Sequence, residues 1–256
     1  MRLLLLVPFV VGCVALSVAS CGSTPRDAFF GDDASVDVGE GGSSGSSGFI
    51  GKDAGPGVGN SCSVDLRDVL DMNGNVLQTC PPDQGCAAGL CAPACASAEA
   101  NKSTIGCSYY VAHPGVFSAT IGGCFATFIA NTWVTPVKIT VDRAGQTLDV
   151  AAMTRIPSGT GQATTYAPLT NGELPPGQVA IVFLSRFGSQ LSSCPAGVTP
   201  GFTSAAANVT GTGIGSAFHI TTSAPVVAYD IFPYGGGQSA ATSATLLLPT
   251  SAWDTN

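Results

Sequence analysis

From Cys124 to Pro249 the chain repeats one rhythm: a short apolar or alternating run, then a cluster of turn-forming residues. The runs read CFATFIANTW, VKITVDRA, TLDVAAMT, QVAIVFLS, SAFHITTS, PVVAYDIF and SATLLLP. Each is rich in the β-branched and aromatic residues that fit a pleated, half-buried surface. Between them lie DRAGQ, IPSGTGQ, NGELPPGQ, TGTGIG and PYGGG, whose Gly, Pro and Asn suit the backbone angles of chain reversals. No segment after residue 108 keeps a 3.6-residue apolar period, and the AAAN of 205–208 is too short for a helix. Closely spaced strands without helices predict a mainly β fold, an antiparallel β-sandwich over residues 108–256. Several runs are apolar on both faces, so some strands should be covered on both sides.

What precedes the strands is set by the N-terminus. MRLLLLVPFVVGCVALSVASCGSTP places Arg2 before an apolar run from Leu3 to Ala19, the charged and apolar regions of an export signal. Val18-Ala19-Ser20-Cys21 resembles the bacterial lipobox, which implies removal of residues 1–20 and lipidation of Cys21. Val10-Val11-Gly12-Cys13 has the same pattern but leaves only Leu3 to Phe9 as apolar region. Gly22 stands where lipoproteins kept in the inner membrane often carry Asp. By that resemblance the expected address is the outer membrane or cell surface. Residues 21–60 are rich in Gly, Ser and Asp and too poor in apolar side chains for a core. A flexible linker of about 40 residues reaches roughly 30–40 Å. Its acids Asp32, Asp33, Asp37 and Glu40 lack the spacing of an EF-hand calcium loop.

Export governs how the cysteines are read. Cys13 would leave with the signal and Cys21 would carry lipid. That leaves Cys62, Cys80, Cys86, Cys91, Cys95, Cys107, Cys124 and Cys194. An even set in an exported chain predicts a disulfide framework. The stretch TCPPDQGCAAGLCAPAC separates its cysteines by five, four and three residues. It therefore lacks the C-x-x-C pair that zinc ribbons and thioredoxin-like sites use. No histidine lies nearby, so the expectation is four disulfides, no metal and no cofactor, with the pairing left open. Residues 61–107 contain few sizeable aliphatics and read as a small module pinned by disulfides, each worth ~2–4 kcal/mol. Asn73-Gly74-Asn75, between VLDM and VLQT, marks a hairpin turn.

Charge excludes one class of partner. Charged residues make up 10% of the chain and the net charge is −7. Residues 108–256 hold five acids against four bases, so no basic patch exists to engage nucleic acid. No second apolar run reaches membrane-spanning length, which makes the lipid on Cys21 the expected membrane attachment.

Four stretches carry a family resemblance. Asn131 to Val141 (NTWVTPVKITV) followed by DRAGQ, and Leu174 to Leu184 (LPPGQVAIVFL), are two of them. Gly215 to Asp230 and Leu246 to Asn256 are the others. Together they resemble the IgGFc-binding protein N-terminal domain, named for a mammalian mucus protein; many Gram-negative surface lipoproteins carry similar regions. The resemblance covers residues 108–256 and implies a β-sandwich, and its motifs are strand patterns rather than chemical signatures. It transfers no Fc-contacting residue. Relatives continue beyond the Trp-Asp-Thr at the end of this sequence, which implies an incomplete sandwich whose open edge would tend to pair.

Residues able to carry chemistry are few. His113 and His219 are the two histidines. Ser216, His219 and Asp230 could be assembled into a hydrolase triad, but the G-x-S-x-G elbow is absent. GTGIG at 211–215 has no following helix or lysine to cradle a phosphate. Asp142, Asp149, Glu173, Asp230 and Asp254 are acids without a paired arrangement. Trp133, Trp253, Tyr229 and Tyr234 are candidates for a carbohydrate-stacking face, though most such rings fill cores. The sequence thus predicts no catalytic residue. The expected function is a non-enzymatic cell-surface lipoprotein that displays its sandwich for binding or adhesion to a protein or glycan. The alternatives are an exported carbohydrate-active or other hydrolase, for which Glu173 and Asp230 are the acids to test, and a structural surface or matrix component.

Overall fold

The computed structural model describes residues 59–116, 118–188, 194–204, 207–209, 211–236 and 242–253. The expected export signal, Cys21 and nearly all of the expected linker lie outside the described residues.

The first part is built around sulfur. Strands β1 (Ser61–Cys62), β2 (Asp68–Leu70) and β3 (Val76–Thr79) form a small antiparallel sheet. The hairpin between β2 and β3 turns at the expected Asn-Gly-Asn. Gly74 takes φ +82°, and Asp71 Oδ1 accepts from the backbone N–H groups of Asn73 and Asn75 at 2.8 Å each. A second hairpin joins β4 (Gln84–Ala87) to β5 (Leu90–Pro93), and helix α1 (Ala94–Asn101) follows. The eight cysteines stand in four pairs at disulfide distance: Cys62–Cys86, Cys80–Cys91, Cys95–Cys107 and Cys124–Cys194. Val69, Cys80 and Cys86, with Cys62 and Cys91 packed on them, are the local core. Two disulfides therefore occupy the place that aliphatic side chains would fill in a larger module. The third crosses to the main sheet by linking α1 to β6 (Gly106–Val111).

The main sheet has ten strands. After β6 come β7 (Cys124–Ala130), β8 (Val137–Arg143), β9 (Gln146–Thr147), α2 (Val150–Met153), β10 (Thr154–Ser158) and β11 (Thr165–Pro168). Then follow β12 (Glu173–Leu174), β13 (Val179–Arg186), β14 (Phe218–Phe232) and β15 (Ser243–Leu246). The order is β11-β10-β13-β7-β14-β8-β12, with β6 and β15 also on β14 and β9 on β8. All ladders between these strands are antiparallel. The sheet curls so that its two halves face each other as an antiparallel β-sandwich. Tyr109, Val137, Val141, Phe218 and Ile220 from one half share a single core with Phe125, Ile129, Val182, Leu184 and Ala228 from the other.

Strand β14 belongs to both halves. Its residues 218–222 pair with β8, and from Val227 onward it pairs with β7. The change falls at Ser223-Ala224-Pro225, where the β6 ladder also shifts register. Proline has no N–H to contribute to a ladder, so it sits at the bend without breaking a pairing. Polar side chains hold the bend: Ser223 Oγ accepts from the Lys138 backbone N–H at 2.9 Å, and Thr222 Oγ1 donates to the Ala224 carbonyl at 2.9 Å. The buried Tyr109 hydroxyl donates to the Val226 carbonyl at 2.6 Å. SAFHITTS and PVVAYDIF, read as two strands in the sequence, are thus one. TLDVAAMT differs as well: Asp149 accepts from the Ala151 and Ala152 N–H groups and caps a helical turn, so the strand begins only at Thr154.

Strands β7 and β13 are covered on both faces, as their apolar runs suggest. Phe125, Ile129, Ala180, Val182 and Leu184 face the core. Cys124, Ala126, Ile181 and Phe183 face a second cluster with Cys194, Tyr166, Ile231 and Tyr234.

Trp133 joins the cysteine-rich part to the sandwich. It is 3% exposed, its Nε1 donates to the Pro82 carbonyl at 2.8 Å, and the Arg67 guanidinium lies 5.0 Å from its ring centroid. Reduction of the disulfides should therefore expose this indole. In a Trp253→Phe background, where Trp133 is the single tryptophan, fluorescence emission should shift to the red on reduction and match that of the Cys62→Ala/Cys86→Ala variant.

His113 supplies a pH dependence. It is 1% exposed, lies between Phe125 and Phe232, and its Nδ1 is 2.6 Å from the Pro114 carbonyl. Burial depresses its pKa below the usual imidazole value, and bonds to backbone oppose that only in part. The unfolded chain takes up this proton near the ordinary value of about 6.5 while the folded chain refuses it. The contribution is present above that pH and is lost as pH falls through it, at up to about 1.4 kcal/mol per pH unit. Stability measured by denaturant unfolding should fall between pH 7 and 5, and His113→Gln should flatten that slope.

Candidate functional site

The outer face of the first half-sheet follows from the two-residue period of a strand. On β8, Val137, Ile139 and Val141 point into the core while Lys138, Thr140 and Asp142 point out. On β14, Phe218 and Ile220 are buried while His219 and Thr221 alternate with them. On β6, Tyr109 and Val111 are buried, and Ser108 and Tyr110 share the outer face. The ladders set Tyr110 opposite His219 and His219 opposite Asp142.

This register produces a hydrogen-bonded array. His219 Nδ1 is 3.2 Å from Asp142 Oδ2, and His219 Nε2 is 3.0 Å from Ser108 Oγ. A carboxylate can only accept, so in the neutral imidazole Nδ1 carries the proton and Nε2 accepts from the serine hydroxyl. The Tyr110 ring stacks on the imidazole with centroids 4.3 Å apart and planes 9° from parallel. Trp253 lies 5.9 Å from Tyr110, tilted by 46°. The side chains of His219 and Asp142 are 25% and 37% exposed, and Tyr110 and Trp253 are 43% and 48% exposed. The array is open to solvent, with an aromatic wall on one side and hydroxyls from Thr140 and Thr221 near it on the same face.

The residues singled out in the sequence are placed differently. Ser216 and Asp230 are not the partners of His219. Asp230 lies on the far half of β14, opposite Thr127 of β7 and Thr245 of β15. Burial raises its pKa, against which hydrogen bonds from Thr245 act, and it borders a cavity of about 400 Å³ with Phe232, Ser243 and Thr245. Glu173 is exposed and pairs in register with Lys138. Asp149 is the helix cap, and Asp254 lies outside the described residues. Of the four candidate stacking rings, Trp133 is interior, Tyr229 stacks on Phe128, and Tyr234 shares a hydrogen bond with Tyr166 at 2.7 Å. Only Trp253 reaches the array. GTGIG leads directly into β14 with no helix after it. Ser108, Tyr110 and the pairing of Asp142 with His219 carry no motif in the sequence. Alternation in SYYV and VKITVDR marks these positions as outward-facing, but the strand register that joins them is a tertiary fact.

Among the described residues, no three His, Cys, Asp or Glu side chains converge as a metal site, and no helix is long and apolar enough to cross a membrane. No protein-family model, curated protein or solved structure matches this chain.

The tautomer is directly measurable. A long-range ¹H–¹⁵N spectrum at neutral pH should show His219 protonated at Nδ1 and bare at Nε2. Asp142→Ala should convert it to a mixture of both forms.

Proposed function

We propose that this chain is an exported lipoprotein, anchored through Cys21 in the outer membrane, that displays its β-sandwich for binding or adhesion to a protein or glycan. The observation that carries this reading is the set of four disulfides. Such bonds persist in oxidising compartments outside the cytoplasm, and here two of them replace the core of the part next to the linker. The lipobox-like Val18-Ala19-Ser20-Cys21 supports lipid attachment, and the acidic Gly/Ser linker suits a spacer between membrane and domain. Several acyl chains on one cysteine would hold the protein firmly, at ~0.8 kcal/mol per buried methylene.

The strand motifs resemble the IgGFc-binding protein N-terminal domain, and many Gram-negative surface lipoproteins carry similar regions, which supports display of the sandwich at the surface. The outer face bearing Tyr110 and Trp253 is the favoured contact surface, because exposed rings beside hydroxyls and a carboxylate offer both apolar area and hydrogen bonds. Nucleic acid is disfavoured by the acidic balance.

The anchor is tested by metabolic labelling with palmitate in a Gram-negative host. The wild-type chain should take up label and accumulate as precursor under globomycin, and Cys21→Ala should remain unlabelled. Labelling of the Cys21→Ala chain, or processing indifferent to globomycin, would refute lipidation at this residue.

A further inference from the structure

We propose that Ser108 is an activated nucleophile, and that this face accepts acyl groups from activated carboxylic esters to form an ester at Ser108 Oγ. Three features of the array support this. His219 Nε2 lies 3.0 Å from Ser108 Oγ, within reach for general-base removal of its proton. Asp142 holds the other nitrogen at 3.2 Å, which selects the imidazole tautomer able to act as that base. Tyr110, stacked at 4.3 Å, keeps the imidazole from swinging away. Nucleophile, base and positioning carboxylate come from three adjacent strands, so the ladders β6–β14 and β14–β8 fix their spacing.

The step balances without a further reagent. Ser108 Oγ attacks the ester carbonyl carbon and its proton passes to His219 Nε2. The bond from carbon to the leaving oxygen breaks, and Nε2 returns the proton to that oxygen. An alcohol leaves, the acyl group stays on Ser108, and His219 ends neutral.

The surroundings limit the donors. In a sheet the backbone N–H groups lie in the plane of the ladder, not on its face. The developing oxyanion is therefore solvated by water. General-base assistance supplies about 10²–10⁴ in rate, while each missing oxyanion donor forgoes about 10²–10³. Only esters with good leaving groups should react, and amides should not. Hydrolysis of the product must expel a serine alkoxide, a far poorer leaving group than a phenolate. The acyl group should accumulate as a stoichiometric adduct.

The test uses the oxidised, folded chain with p-nitrophenyl acetate, followed by intact mass and peptide mapping. One acetyl group should map to Ser108 and form faster than at the exposed Ser158. Ser108→Ala should remove it. His219→Gln should slow acetylation of Ser108 at least ~100-fold. Asp142→Asn, which can hold the wrong tautomer, should slow it at least ~10-fold, and Asp142→Glu should restore most of the rate. A wild-type Ser108 acetylated no faster than Ser158 would overturn the proposal. So would a His219→Gln chain with native near-ultraviolet circular dichroism that acetylates Ser108 at the wild-type rate.

Discussion

The bend in β14 at Ser223-Ala224-Pro225 is the constraint from which the rest of the sandwich follows. A continuous strand that changes partners from β8 to β7 obliges the sheet to curl, and the curl brings two apolar faces into one core. The bend is also a weak point, because three residues leave the ladders there and buried backbone groups need partners. Thr222 and the Tyr109 hydroxyl provide them, while Ser223 accepts from the exposed Lys138 N–H of β8. The Tyr109 contact ties the edge strand β6 to the far half of β14. The same β6 presents Ser108 and Tyr110 outward, so the geometry of the outer array depends on the packing beneath it.

The cysteine-rich part solves a different problem with little material. Val69 is its one buried aliphatic beside the sulfurs, and a core that small cannot stabilise a free-standing fold. Sulfur and one tryptophan divide the work. The disulfides close the local hairpins, while Trp133, reaching from the sandwich to Pro82 and Arg67, makes the two parts a single packed body. Leu66, Ala94 and Ala98 accordingly join the main core. A cysteine cluster that looks self-contained in the sequence is bonded outward: of Cys80, Cys86, Cys91 and Cys95, only Cys80 and Cys91 pair with each other.

Much of the fold was legible because strand signals are local. VKITVDR alternates in the sequence as it does in the sheet, and VAIVFL, apolar throughout, lies between two covered faces. Local reading failed where a neighbour overrode it. SAFHITTS and PVVAYDIF stand apart in the sequence, yet the strand passes through Pro225 because no ladder partner is required there. In TLDVAAMT the Asp149 cap outweighed the β-like composition. The array on the outer face was not legible, since its members come from three strands distant in sequence and meet only through register. His219 stands out in the sequence, but Ser216 and Asp230, the serine and the acid nearest to it along the chain, are not its partners. Asp230 follows His219 on the same strand, beyond the bend, and there it faces the other half of the sheet.

The order of the disulfides has a mechanical consequence. A pull applied just before β1 and resisted at β6 does not travel along the whole intervening backbone. It passes from Cys62 through sulfur to Cys86, along residues 87–94, and through sulfur again from Cys95 to Cys107. The loops 63–85 and 96–106 are shielded from the load. The extensible chain between these points is held to roughly 30 Å, however far the loops would otherwise unravel. Tension would thus reach the strand that carries Ser108 and Tyr110 along a nearly inextensible covalent path.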